Sequence, residues 1–372
     1  MNPLCTSGQV LAGVEGRMGL ITLNRAKALN ALSLPMVQDL MRVLHSWQAD
    51  PTVMGVAIRG MGKGPHGGEQ PFGTFCAGGD IRFFHQAALA GDYRQLANFF
   101  NEEYTLNHLI HTYPKPFIAL MDGVCMGGGM GISQGASLRV VTERSSIAMP
   151  ETAIGLFPDV GGGYFLSRCP GRVGEYLALT GQSLGPSDAI AIGLADGAIP
   201  SGQLDSIWAG LAQTPFENAN AIERFVAIKF IAHHAALTMQ RSQIDAVFAL
   251  EGVPAMRQAL AASASDWAHA TLAQLERNSP LMLAVTLEQI RRARSMSLAD
   301  DLRMERTMVY HCFHLRPGEA GETVEGIRAL AIDKDRKARW NPARSEEVTP
   351  TQVQSFFDSP WAVADHPLRN LA

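Results

Sequence analysis

Three short buried-strand candidates, Val53 to Ile58, Pro116 to Met121 and Leu138 to Thr142, set the frame for what this chain can fold into. Each is long enough for a buried strand and too short for a helix that must bury one face. The first two run into glycine-rich sequence, which breaks both periods. Helix-length segments lie between them: Leu34 to Trp47 has helical spacing, and Asp92 to His111 reads as a long amphipathic helix carrying Glu102 and Glu103. Strands alternating with helices give the crossover units of an α/β fold. Upstream, Gln9 to Glu15 and Met18 to Asn24 flank Gly16-Arg17, the pattern of an antiparallel hairpin. From about Ser201 the texture changes. Ala, Leu, Met, Gln and Arg dominate, and strand signals nearly vanish, as in NSPLMLAVTLEQIRRARSM from Asn278. A boundary near Pro200 is therefore expected, with a catalytic core in 1–200 and a helical C-terminal region in 201–372. No period typical of a repeat array runs through the chain.

The 372 residues suit one large core with an appended second region. With 47% hydrophobic and 18% charged residues, the chain has the composition of a globular enzyme, not of a disordered or fibrous protein. A formal net charge of -4 gives no global attraction to nucleic acid or anionic lipid. No apolar run reaches the ~18 residues of a membrane span. The five cysteines are scattered without a C-x-x-C pair, which argues against a disulfide framework or zinc ribbon and for a reducing compartment. The opening MNPLCTSGQVLAGVEGR offers neither a basic n-region nor an apolar h-region. A cytoplasmic location is expected, or the mitochondrial matrix for a processed eukaryotic protein.

Glycine recurs where a backbone would have to approach a ligand. Phe75 to Ile81 (FCAGGDI) leads into a helix-like segment, and Gly127-Gly128-Gly129-Met130-Gly131 follows a strand and opens a short helix. Amides at two helix starts can be aimed at one oxygen, which is how a backbone oxyanion hole stabilises an enolate or a tetrahedral intermediate. The same glycines can equally serve tight turns and close packing. Farther on, Pro150 to Gly163 places Glu151 and Asp159 around a short apolar turn. Carboxylates among apolar residues and near each other are pushed towards neutral pKa values, which suits acid–base work. A helix cap for Asp159 and a surface position for Glu151 are the alternatives.

In order and spacing, LITLNRAKALNAL (Leu20 to Leu32), FCAGGDI, MGGGMGIS and AMPETAIGLFPDVGGGYFLSR together resemble the crotonase, or enoyl-CoA hydratase/isomerase, superfamily. The tail adds EGIRA from Glu325, IDKD from Ile332 and WNP from Trp340, which resemble its 3-hydroxyisobutyryl-CoA hydrolase branch. The resemblance implies an α/β spiral of ββα repeats with a helical C-terminal region. It also implies an acyl-CoA substrate, no metal, and no cofactor beyond the coenzyme A of the substrate. Partners would be limited to that small molecule and a possible homo-oligomer, with no nucleic acid or membrane. Its two oxyanion amides map onto Gly79 and Gly128. Ala77, Gly78 and Asp80 fall in the same substrate-binding motif, Glu103 matches a substrate-contacting glutamate, and Arg25 and Lys27 match basic residues at the CoA entrance. The two basic residues can also be read as a solvated turn.

Hydratases of the superfamily use two glutamates, and the first of those positions is Gly131 here. Only Glu151 of the pair remains, while Asp159 stands where hydratases commonly have glycine and the hydrolase branch has aspartate. The expected activity is hydrolysis of a short 3-hydroxyacyl-CoA thioester, with Glu151 as nucleophile or general base and Asp159 orienting water or the substrate hydroxyl. An enoyl-CoA hydratase/isomerase and a catalytically silent binder are the rivals. Gly131-Ile132-Ser133-Gln134-Gly135 matches the G-x-S-x-G nucleophile elbow, but an elbow serine belongs at the strand-to-helix turn and Ser133 is expected inside a helix. The pairs His108 with His111, His311 with His314, and His233-His234 lack the companions of a zinc site and read as helix-surface residues. Met126 and Met130 read as core filling.

Overall fold

The computed structural model describes residues 4–64, 68–232 and 237–372, with side chains from 240 onward in the last stretch. Nine strands are named: β1 (Val10–Glu15), β2 (Met18–Leu23), β3 (Gly55–Lys63), β4 (Glu69–Pro71), β5 (Phe117–Met121), β6 (Val124–Met126), β7 (Leu138–Val141), β8 (Ser146–Ala148) and β9 (Gly197–Ala198). In chain order two strands and a helical segment recur four times. The third members are the helices Leu34–Ala49, Ile81–Leu89 and Gly128–Gln134 and the 3-10 turn Glu151–Ile154. The expected ββα repeat and the helical C-terminal region are both present, and no named strand follows β9 among the described residues.

The chain forms two compact units that alternate along the sequence. The first comprises Met1–Gly79, Thr105–Ile147 and Leu184–Thr238. Its sheet runs β1-β2-β3-β5-β7-β9, with β4 added on β3. β1 and β2 form the expected antiparallel hairpin, and β2, β3, β5, β7 and β9 are parallel neighbours. Parallel neighbours require crossovers. Leu34–Ala49 provides one between β2 and β3, capped by Ser33, which accepts from Met36 N–H at 3.4 Å. Its buried stripe includes Met36, Leu40, Val43 and Trp47, and a Cβ on Gly19 of β2 would lie 2.3 Å from the Trp47 ring. Alternate strand residues, Leu20, Ala57, Ile118 and Val140, pack with Leu204, Ile207, Leu211 and Ile222 from two helices. Between β3 and β5, and again between β7 and β9, the chain contributes segments to the second unit.

That second unit, Asp80–Tyr104, Ala148–Ser183 and Met239–Ala372, is built from helices. Local sequence marks their starts. Ser279 accepts from Met282 N–H at 3.2 Å ahead of Pro280, Ser297 accepts from Asp300 N–H at 3.1 Å, and Thr349 forms a full capping box with Gln352. An aromatic run holds its centre: Phe84 meets Phe99 and Phe100 at ring separations of 4.9 and 5.0 Å, and Phe100 meets Tyr104 at 5.9 Å and Phe313 at 6.0 Å. All five cysteines are free. No helix among the described residues is long and apolar enough to cross a membrane.

Candidate functional site

Within the first unit, two glycine turns are drawn side by side by backbone pairing. Phe75 and Cys76 N–H donate to the Val124 carbonyl at 3.1 and 3.0 Å, and Met126 N–H donates to Cys76 C=O at 2.9 Å. Gly78 has a φ of +106°, and a Cβ there would lie 3.8 Å from Gly128 N. A Cβ on Gly129 would lie 2.3 Å from Cys76 O, so only glycine allows this approach. Leu32 N–H donates to Gly78 C=O at 2.8 Å. A trans peptide directs its C=O and N–H to opposite sides, so the Gly79 N–H points away from Leu32. Gly128 heads the helix Gly128–Gln134, where a first-turn amide has no intrahelical acceptor. The expected amide pair therefore sits on adjacent turns.

These turns are braced by a residue the sequence reading passed over. Asn30 is fully buried at a φ of +56°. Its Nδ2 donates to the carbonyls of Met61, Thr74 and Phe75 at 2.8, 2.9 and 3.1 Å, and its Oδ1 accepts from Arg25 N–H at 2.9 Å. Ala77 N–H joins the same turn by donating to Leu29 C=O at 3.0 Å. Arg25 donates through Nη1 to Ala31 C=O at 2.9 Å, while Lys27 is exposed. Asn30 stands in ALNALS with no glycine nearby, so nothing in the local sequence marks this hub. Asp80 caps the helix Ile81–Leu89 by accepting from Phe83 N–H at 3.3 Å.

The carboxyls gather in the second unit. Glu103, Glu151 and Asp159 are 2, 6 and 6% exposed, so a surface position for Glu151 does not hold. Asp159 is not a helix cap either, because the following helix, Gly162–Ser167, is capped by Gly161. Tyr104, on the helix Tyr93–His111 beside Glu103, donates its hydroxyl to Asp159 Oδ2 at 2.8 Å. Burial pushes the Asp159 carboxyl up to about 6 against the opposing pull of that hydrogen bond. Burial, then the charge of Asp159, lifts Glu151 well above the ordinary carboxylate range. Glu103 rises for the same first reason, with Asp159 and Glu151 adding to it. Glu103 Oε1 and Glu151 Oε2 have no hydrogen-bond partner. Three buried carboxyls whose pKa values depend on one another form an environment suited to proton transfer near neutral pH.

The loop that carries Glu151 is pinned by the C-terminal helices. Ser279 N–H donates to Thr152 C=O at 3.1 Å, Asn278 Nδ2 donates to Thr152 Oγ1 at 3.0 Å, and Thr323 Oγ1 donates to Gly155 C=O at 2.7 Å. Gly155 has a φ of +68°, and a Cβ on it would lie 2.2 Å from Glu322 O. The Asp159 loop also contains Val160 at a φ of +56°, a strain of about 1–3 kcal/mol that its surroundings must hold.

The serine of the elbow-like motif is not available for chemistry. Ser133 lies within Gly128–Gln134, is fully buried, and donates to Gly129 C=O at 2.8 Å. No cluster of three or more metal-ligating side chains occurs among the described residues. His311 and His314 are half-buried near the end of their helix, and His233-His234 lies outside the described residues.

The enoyl-CoA hydratase/isomerase family model matches residues 18–357. A mitochondrial 3-hydroxyisobutyryl-CoA hydrolase of Xenopus tropicalis is 40% identical over 364 residues, spanning 96% of this chain and 91% of that one. Two solved structures align at a TM-score of 0.84: a carnitinyl-CoA dehydratase from Mycobacterium thermoresistibile and an enoyl-CoA hydratase from Rhodobacter sphaeroides 2.4.1. The first is 36% identical, covering 94% of this chain and 96% of its own. The second is 37% identical, covering 95% and 98%.

Proposed function

The chain belongs to the enoyl-CoA hydratase/isomerase, or crotonase, family, and on that footing we propose that it hydrolyses the thioester of 3-hydroxyisobutyryl-CoA to 3-hydroxyisobutyrate and coenzyme A. The observation that carries this reading is the buried trio Glu103, Glu151 and Asp159 combined with glycine at 131. A hydratase of this family uses a second glutamate at that position to complete an acid–base pair. This chain instead adds a carboxyl at Asp159, held by Tyr104.

In the proposed reaction the Gly79 and Gly128 amides polarise the thioester carbonyl, and each such donor contributes about 3 kcal/mol to the transition state. Glu151 either takes a proton from the attacking water or attacks the carbonyl itself. In the first route the C–O bond to water replaces the C–S bond. In the second the new bond is to Glu151, and water then cleaves the resulting mixed anhydride to release the acid and restore the carboxylate. In both, coenzyme A leaves as thiolate. Because a thiol has a pKa of roughly 8.5, this departure needs little help from a general acid. A base with a raised pKa, as burial gives Glu151, is well matched to removing a proton from water near neutral pH. Asp159 and Glu103 would hold the polar end of the acyl group or orient the water. Arg25 and Lys27 are assigned to the phosphates of coenzyme A, and Ala77, Gly78 and Asp80 to the substrate-binding turn. No cofactor enters this chemistry. A reducing compartment suits the free thiols.

Hydration or dehydration of a short acyl-CoA is the second reading, favoured by the named activities of the two solved relatives. Free-thiol release from 3-hydroxyisobutyryl-CoA, measured beside crotonyl-CoA hydration, separates the two. Thiol release without hydration, reduced on the order of 10²-fold or more in Glu151→Gln, is the expected result. Hydration without thiol release would move the chain to the lyases, and full activity of Glu151→Gln would remove Glu151 from either mechanism.

A further inference from the structure

We infer that Gln289 and Glu305, two side chains of the helical C-terminal region, act as a clamp that positions the Asp159 carboxyl for the reaction. This rests on the hydrolase reading above. Gln289 lies on the helix Pro280–Ala293 and Glu305 on Leu298–His314, and both are fully buried. On one side of Asp159, Gln289 Nε2 donates to the Pro158 carbonyl at 2.6 Å. On the other, Glu305 accepts from Gly161 N–H at 2.8 Å and from Gly163 N–H at 3.0 Å, one at each carboxyl oxygen. Gln289 Nε2 also donates to Glu305 Oε1 at 3.1 Å, which ties the two halves together. Next along the loop, Asp301 accepts from Tyr164 N–H at 2.7 Å. The backbone on both sides of Asp159, at Pro158 and at Gly161, is thus fixed by one linked pair of side chains.

The geometry of the loop explains why a clamp is needed. Val160 and Gly161 have φ values of +56° and +87°, a conformation the chain does not hold unaided. Gly162 and Gly163 leave no slack. A Cβ at 162 would lie 3.0 Å from Pro158 Cβ, and one at 163 would lie 2.4 Å from Asp301 Oδ1. Nor is the arrangement one that stability alone favours. Gln289 Oε1 and Asp301 Oδ1 are buried with no partner, and burial together with the charge of Asp301 raises the Glu305 carboxyl well above its usual range. Apolar side chains at these positions would pack without that penalty. What they would lose is directional control of the backbone that carries Asp159.

The test uses Gln289→Leu and Glu305→Gln in the full chain, with thiol release from 3-hydroxyisobutyryl-CoA per folded enzyme, melting temperature, and both variants repeated in an Asp159→Asn background. A glutamine at 305 offers a single acceptor oxygen, so one of the two glycine amides loses its partner. Each variant is expected to lower kcat by 10- to 100-fold with KM within about threefold of wild type. Because the clamp acts through Asp159, neither should lower kcat more than about threefold once Asp159 is already asparagine. A kcat per folded enzyme within threefold of wild type, or losses that multiply with that of Asp159→Asn, would sink the clamp while leaving the hydrolase reading intact. Absence of thiol release from the wild-type protein would remove the hydrolase reading and the clamp with it.

Discussion

Asp159 is held in a state that favours its protonated form, and this has opposite consequences for stability and for catalysis. Burial raises its carboxyl from 3.8 to about 6, so the folded chain binds this proton more tightly than the unfolded chain does. The contribution is fully present below the unfolded value and is lost as pH rises through about 6. At pH 8 the wild type therefore carries a penalty on the order of 1–3 kcal/mol that Asp159→Asn lacks. The variant should melt higher than wild type at pH 8, with the difference shrinking towards pH 4; thermal scans at both values check this, and an equal or lower melting point at pH 8 refutes it. The same substitution removes the charge that, after burial, most raises Glu151. The acid limb of the residual kcat/KM profile should accordingly move to lower pH. Glu103, Glu151 and Asp159 were legible as candidates from spacing and family resemblance. Tyr104, Gln289 and Glu305 were not, because each reads as one residue among many on a helix. A signal did exist. Gln289 falls four residues from buried Val285 and Ala293, and Glu305 lies three from Leu302 and four from Val309, so each interrupts an apolar stripe where a polar side chain needs a reason.

At the scale of elements, the amide turns depend on close approach more than on the residues that flank them. Gly129→Ala would push a methyl group to 2.3 Å from the Cys76 carbonyl oxygen and force the two turns apart. The expected result is a kcat loss on the order of 10²-fold, as for a displaced oxyanion donor, in a protein that still folds. Gly185→Ala is the control, since its Cβ would meet nothing within 4 Å. Steady-state kinetics of the two variants decide the matter, and equal activities would mean that the turns tolerate separation. The hairpin, the parallel strands and the helix starts at Asp80 and Gly127 follow patterns that local sequence carries. The end of β3 does not. The continuous apolar run stops at Ile58, yet the strand continues to Lys63 because β4 pairs with Met61 to Lys63. Strands of two or three residues such as β4, β6, β8 and β9 are shorter than the roughly four residues over which alternation can be read, and only their partners hold them extended.

For the molecule as a whole, the change of composition near Pro200 lies beside the last named strand among the described residues, which ends at Ala198, but compactness groups the chain differently. The second unit draws on 80–104, 148–183 and 239–372, a division that rests on long-range contacts and leaves no mark in local composition. The C-terminal helices complete the carboxyl-bearing loops and are not an accessory to them. A chain ending at Ser297 loses Asp301, Glu305 and Thr323, and with them the acceptors for Gly161, Gly163 and Tyr164 and the donor to Gly155. It should show no thiol release and a sharply reduced soluble yield, measured beside the full chain; soluble, active product would contradict this.

The separation between Gly161 and Glu305 is 144 residues. At about 5–20 residues per second, a ribosome takes on the order of 7 to 30 s to synthesise that interval. For this period the Asp159 loop exists as nascent chain without the side chains that restrain it, and its apolar neighbours are without their cover. The helices of the tail thus set the timing of biogenesis: the carboxyl-bearing unit cannot assemble until they have been made, and until then a chaperone would meet a chain whose buried carboxyls exist without the side chains that hold their loops.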